Sequence, residues 1–94
     1  MQELAKTRRA DILRIAAHYG ATNVRIFGSS ARGESGSGSD LDLLVDLAPG
    51  RTLLDMIAIE QDLQDLLGCK VDVVTEAAVS PYMRDAVLRE AVRL

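Results

Sequence analysis

Tryptophan is absent from this chain, and Phe27, Tyr19 and Tyr82 are its only aromatic residues. Any core must therefore be aliphatic. A single cysteine, Cys69, excludes an intramolecular disulfide and fits a reducing compartment. Between the stop of one helix and the start of a strand, that thiol reads as a structural one. No apolar run approaches the roughly 20 residues of a membrane span, and Met1-Gln2-Glu3-Leu4-Ala5-Lys6 lacks the apolar core of a signal peptide. An excess of cations is missing too. Eleven Lys and Arg stand against 14 Asp and Glu, for a net charge of -3. That argues against strong binding to a nucleic-acid backbone, which needs clustered cations. It says little about a free nucleotide, whose phosphates metal ions can neutralise. The expectation is a cytoplasmic protein that engages neither membrane nor nucleic acid directly.

What is present is ordinary for a soluble globular domain: 48% hydrophobic and 27% charged residues over 94 positions. The length predicts one domain, residues 1–94, with little room for a second. A domain this small buries a modest fraction of its surface. A partner or bound ligand would matter to its stability, and assembly into an oligomer is plausible.

The periodicities predict a helix over residues 2–19, ended by Gly20, and a strand over 22–27 in which Val24 and Ile26 alternate with Arg25 and Phe27. A small, polar stretch from Gly28 to Ser39 follows and reads as an ordered loop or short helix. A second strand is predicted over 40–47. Pro49-Gly50 is a turn. Thr52 with Asp55 resembles a capping box opening a helix to about Leu67, with Leu53, Met56, Ile57, Leu63, Leu66 and Leu67 as its buried face. Gly68 stops it. Residues 70–74 form a third strand. Ser80-Pro81 then starts a last helix through about Arg93. This order predicts an α/β two-layer domain with a small sheet.

Three features carry chemistry. Gly28-Ser29 follows a strand directly. Glycine allows a sharp turn and close approach of backbone to a ligand, and free N–H groups there, with the Ser29 hydroxyl, can grip phosphate oxygens. Taken alone, such a turn is simply a turn. In Asp40-Leu41-Asp42 the two carboxylates lie on one face of a strand, about 6–7 Å apart along it, while Leu41 and Leu43 face the core. Two anions held together favour a cation beside them, and carboxylate oxygens suit Mg2+ or Mn2+. The plain alternative is a solvated strand edge. Third, Asp72 interrupts the aliphatic Val71-Asp72-Val73-Val74, where an aspartate is disfavoured unless it has a purpose or a partner. An exposed edge, or an ion pair with Lys70 or an arginine, would also account for it. If the two strands are neighbours, three carboxylates gather beside a phosphate-gripping turn. That arrangement suits in-line phosphoryl-group chemistry. Asp46 shares the face of Asp40 and Asp42 and reads as a solvated strand end. His18, on the first helix, and the charges of the last helix, Arg84, Asp85, Arg89, Glu90 and Arg93, read as surface.

Gly28-Ser29, ten residues and then Asp40-x-Asp42 resemble the signature of the DNA polymerase β-like nucleotidyltransferase superfamily. The longer strings Gly28-Ser29-Ser30-Ala31-Arg32-Gly33-Glu34 and Ser39-Asp40-Leu41-Asp42-Leu43 resemble its minimal nucleotidyltransferase branch. The likeness covers nearly the whole chain. It implies a nucleotidyltransferase fold with a small mixed sheet of three strands, or four. It implies that Gly28, Ser29, Ser30 and Arg32 bind the triphosphate, and that Asp40, Asp42 and Asp72 hold the metal and are catalytic. The expected cofactor is Mg2+, two ions, with Mn2+ as the alternative. Members of this branch are typically antitoxins paired with a HEPN-domain RNase toxin, and transfer AMP from ATP to a tyrosine of that toxin. The resemblance therefore implies a protein adenylyltransferase with ATP and a HEPN toxin as partners. An antitoxin that only masks its partner, a small-molecule nucleotidyltransferase and a purely structural domain are the competing readings.

Overall fold

The computed structural model describes residues 2–27 and 41–94, with side chains from Ala5 onward. Gly28, Ser29, Ser30, Arg32 and Asp40 lie outside the described residues. The elements are α1 (Gln2–Thr7), α2 (Arg9–His18), β1 (Ala21–Phe27), β2 (Leu41–Leu47), α3 (Leu53–Leu67), β3 (Val71–Val74), a 3-10 turn (Glu76–Ala78), α4 (Pro81–Glu90) and β4 (Val92–Arg93).

The expected first helix is broken in two at Arg8. That residue leaves helical dihedrals and caps α2 with no side-chain hydrogen bond. Its guanidinium pairs instead with Asp11, at 3.1 Å. Asp11 is also held by Arg14 at 3.2 Å, and the two arginines keep its carboxyl below the usual carboxylate range, Arg14 most strongly. Gly20 follows α2 with φ +82°, a conformation that suits glycine at this helix-to-strand corner.

The sheet has the order β3-β2-β1-β4. β1 is antiparallel to both β2 and β4, while β2 and β3 run parallel. The fourth strand replaces the end of the expected last helix. Ala91 turns extended, and Arg93 and Val92 pair with Arg25 and Ile26. Otherwise β1 would present its outer N–H and C=O groups unpaired. Strand β1 also carries a bulge. Between the pairs Thr22–Asp46 and Arg25–Leu44, two β1 residues face one on β2. Asn23 takes φ +51° there, a region asparagine tolerates, and its side-chain amide donates to Asp46 at 3.0 Å. The extra residue lets Ala21 share the buried face with Val24 and Ile26.

One face of the sheet makes the main core. Ala21, Val24, Ile26, Leu41, Leu43, Val45, Val71 and Val73 pack with Ala5, Ile12, Ala16, Ile59 and Leu63 of the helices. The capping box opening α3 is present: Thr52 Oγ1 accepts from Leu54 N at 3.3 Å, and Asp55 Oδ2 accepts from Thr52 N at 2.9 Å. Thr52→Ala should lower stability by about 1 kcal/mol, read as a lower urea midpoint with an unchanged slope. The buried face of α3 differs from expectation. Met56, Ile59 and Leu63 are buried, whereas Leu53 is 67% exposed and Ile57 40%.

The opposite face is covered by α4. β2-α3-β3 steps toward one edge of the sheet and β3-α4-β4 returns toward the other. Right-handed connections then place α3 and α4 on opposite faces. The packing agrees. Val87 of α4 and Leu44 of β2 are both buried, yet neither belongs to the main core cluster.

Candidate active site

Strand register assembles the site. Phe27 pairs with Asp42 and Asp42 with Asp72, so the three residues form one row across β1, β2 and β3. The next row on that face is Arg25, Leu44 and Val74. Side chains at paired positions leave the same face, and neighbouring strands lie about 4.8 Å apart. Asp42 and Asp72 are thus brought side by side on the face opposite the main core. Asp42 is half-buried and Asp72 exposed. They sit near the starts of β2 and β3, level with the end of β1 that leads into Gly28.

Like charges placed directly opposite across strands oppose folding. Two ionised carboxylates held side by side repel one another. A divalent cation would reverse the sign of that term, and oxygen donors suit Mg2+ or Mn2+. The pair fits such an ion as two of its protein ligands. Among the described residues no group of three or more His, Cys, Asp or Glu could hold a metal ion. The third expected ligand, Asp40, falls outside them.

Asp46 shares this face but stands apart from the pair. It lies four residues along β2 from Asp42, about 13 Å at strand rise. Its carboxylate accepts from Arg25 at 3.1 Å and from Asn23 at 3.0 Å. Arg25 is otherwise 4.0 Å from Glu76. His18 is exposed and packs edge-on against the Tyr19 ring. The Tyr19 hydroxyl donates to Asp62 at 2.8 Å, and that bond, with burial, raises its pKa above the ordinary value. Cys69 is half-buried and packs on the main core, as a structural thiol does. Arg84 departs from the expected solvated face: it is half-buried, and its Nε is shielded from solvent without a hydrogen-bond partner among the described residues.

Sequence reasoning missed Glu60. This α3 residue reaches the outer edge of β3, where its Oε2 accepts from Val73 N at 2.8 Å. One turn on, Gln64 Oε1 accepts from Val71 N at 3.2 Å. The two side chains occupy N–H groups that an edge strand otherwise offers to foreign strands. Burial raises the Glu60 pKa most, and the adjoining Asp72 carboxyl raises it further, against the lowering effect of the Val73 N–H. The signal in sequence would have been the Glu60/Gln64 pair at i, i+4, but its meaning depends on which strand lies beside it.

The model of the nucleotidyltransferase domain family matches residues 10–94. The chain belongs to that family. It is similar to the protein adenylyltransferase MntA of Thermococcus cleftensis, with 34% identity over 98% of this chain and 93% of that protein. A solved structure described as a putative minimal nucleotidyltransferase superimposes with a TM-score of 0.85 at 48% identity, covering 99% of this chain and 95% of that one. The complex of a tri-AMPylated Shewanella oneidensis HEPN toxin with its MNT antitoxin has a chain of the same fold. Its TM-score is 0.67 at 21% identity, covering 99% of this chain and 71% of that one. This is an MntA-like minimal nucleotidyltransferase domain, and the family is one of enzymes that generally use divalent metal ions. The mixed four-stranded sheet is within the fold expected from sequence.

Proposed function

We propose that this chain transfers AMP from ATP to a tyrosine hydroxyl of a HEPN-domain RNase toxin and so acts as that toxin's antitoxin. The observation that carries the reading is the register that sets Asp42 directly opposite Asp72. That arrangement opposes stability and makes sense for a site that works on phosphates with a cation. The relatives supply the direction: one is a protein adenylyltransferase, and another of the same fold is complexed with an AMPylated HEPN toxin.

In this mechanism Asp40, Asp42 and Asp72 would hold Mg2+. The ion would supply charge neutralisation for the triphosphate and for the leaving pyrophosphate. The backbone of Gly28 to Ser30 and the Ser29 hydroxyl hold the β- and γ-phosphates, and Arg32 offsets charge on the departing group. Asp72 receives the proton of the acceptor hydroxyl. The acceptor oxygen bonds to the α-phosphorus, the bond from that phosphorus to the bridging oxygen breaks, and pyrophosphate leaves with the electron pair. The chain itself contributes position and electrostatics, with no covalent intermediate. The reading places the protein in the cytoplasm, with ATP and the toxin as partners.

The test uses ATP labelled at either the α- or the γ-phosphate, with Mg2+ and the HEPN-domain protein proposed as partner. Label from α-labelled ATP alone should appear on the toxin. A stable complex that stays unlabelled would replace transfer with masking. Label on a small hydroxylated antibiotic without any partner protein would move the acceptor to a small molecule.

A further inference from the structure

We infer that Glu60 is a positioning residue for Asp72, fixing the third carboxylate of the site through the outer edge of β3. The inference rests on the proposed nucleotidyl transfer and deepens it. Glu60 stands on α3, which packs on the main-core face, whereas Asp72 projects from the other face. Its reach around the edge joins the two faces. One carboxylate oxygen takes the Val73 N–H at 2.8 Å, on the peptide unit that follows Asp72. The Glu60 carboxyl also adjoins that of Asp72. β3 has only four residues and is hydrogen-bonded to β2 on one side alone. Its outer side depends on α3, and Glu60 is the anchor nearest the aspartate. Gln64 makes the equivalent bond one turn away, to Val71 N at 3.2 Å, and so provides a matched comparison within the same strand.

Two effects follow. The anchor holds the backbone on which Asp72 is mounted, and so holds the direction of its side chain. A second carboxyl beside Asp72 also narrows the places its oxygens can occupy, by hydrogen bonding or by repulsion. Partners outside the ligand shell orient carboxylate ligands in this way, and their loss typically costs about 10–100-fold in metal affinity or activity. Glu60 spends a carboxylate oxygen on the Val73 N–H at the strand edge, so its role is to orient Asp72, with the ligation left to Asp72 itself.

The experiment compares Glu60→Met with Gln64→Met. Each replaces one edge anchor by an apolar side chain of similar length. Three quantities are read: the thermal midpoint, kcat and KM for ATP in AMP transfer to the toxin, and Mn2+ affinity by electron paramagnetic resonance with a non-hydrolysable ATP analogue. Both variants should lose similar thermal stability. Glu60→Met should lower kcat and Mn2+ affinity by about 10–100-fold with KM for ATP unchanged. Gln64→Met should leave kcat and Mn2+ affinity unchanged. Glu60→Gln, whose amide oxygen still accepts the Val73 N–H and whose amide nitrogen can donate to Asp72, should restore most of the loss. Equal effects of Glu60→Met and Gln64→Met on kcat and Mn2+ would make Glu60 an edge cap only, and no effect of Glu60→Met would overturn the inference outright. Where Glu60→Met does not fold, Glu60→Asp carries the comparison. Its carboxylate withdraws by one methylene, and a wild-type kcat with wild-type Mn2+ affinity would overturn the inference. Full transfer by Asp72→Asn would instead remove the site itself, a distinct failure.

Discussion

Asp72→Asn should abolish AMP transfer while leaving the fold intact or slightly more stable. The substitution keeps the shape of the side chain and removes one of two like charges that register holds opposite each other. Relief of that repulsion favours the folded state in the absence of metal, since directly opposed like charges destabilise a strand pair. The loss of function has two sources. An amide is a poorer ligand than a carboxylate for a hard divalent ion, and it cannot receive the proton of the acceptor hydroxyl. Removing one preorganised electrostatic group commonly costs a hundred- to a thousand-fold in kcat, and loss of a base adds to it, so a drop on the order of 1000-fold or more is expected. Transfer of labelled AMP to the toxin, measured beside a thermal melt, checks both halves. A stable protein with transfer near the wild-type rate would detach Asp72 from the chemistry. Asp46→Asn is the contrast. That carboxylate is engaged by Arg25 and Asn23 two rows away from Asp42, so transfer should persist.

The pairing of Asp42 with Asp72 was only half legible in the sequence. A period of two told which residues of each strand share a face, and the aliphatic neighbours of Asp72 marked it as out of place. Neither fact fixes which strands are neighbours, in which direction they run, or in what register. Those come from the assembled sheet, in which the β2-α3-β3 crossover joins parallel neighbours and the register sets Asp42 opposite Asp72. Glu60 was less legible still. It lies on a helix rich in polar residues, and nothing distinguishes it from Gln61 or Asp62 until β3 is placed alongside. The bulge at Asn23 was hidden for a similar reason. Simple alternation accounted for Val24 and Ile26, and only pairing with β2 shows the extra residue that also buries Ala21. The fourth strand is another tertiary effect. Val92 and Arg93 continue a helical sequence pattern, but the open side of β1 offers hydrogen bonds that one more half-turn of helix cannot match.

The helix ends were legible because their signals are local. Thr52 with Asp55 and the left-handed Gly68, φ +68°, bound α3 as expected. Its buried face was not, and the reason leads to the second large prediction. The first half of α3 is apolar nearly all round, with Leu53, Leu54, Met56, Ile57, Ala58 and Ile59 within seven positions. Several helical phases satisfy such a pattern equally, and the sheet chooses one: Ile59 and Leu63 are 0% exposed, while Leu54 is 75% and Ile57 40% exposed.

Ile59→Ala and Ile57→Ala remove the same atoms from the same helix two residues apart, so their difference isolates burial. At Ile59 the change leaves a cavity between α3 and the sheet and should cost about 2–5 kcal/mol. For a domain of this size each kcal/mol moves the melting temperature by about 4–8 °C, so a fall of about 8–40 °C is expected. Against a total stability of about 5–15 kcal/mol for an ordinary domain, that can leave the protein partly unfolded at physiological temperature. At Ile57 no enclosed cavity forms, and the loss should stay below about 1 kcal/mol. Equal losses at the two positions in urea or thermal melts would mean that α3 meets the sheet in another phase. The consequence would reach the active site, because the turn of α3 that aims Ile59 into the core also aims Glu60 at the edge of β3. A rotation that exposed one would withdraw the other from Val73 and Asp72.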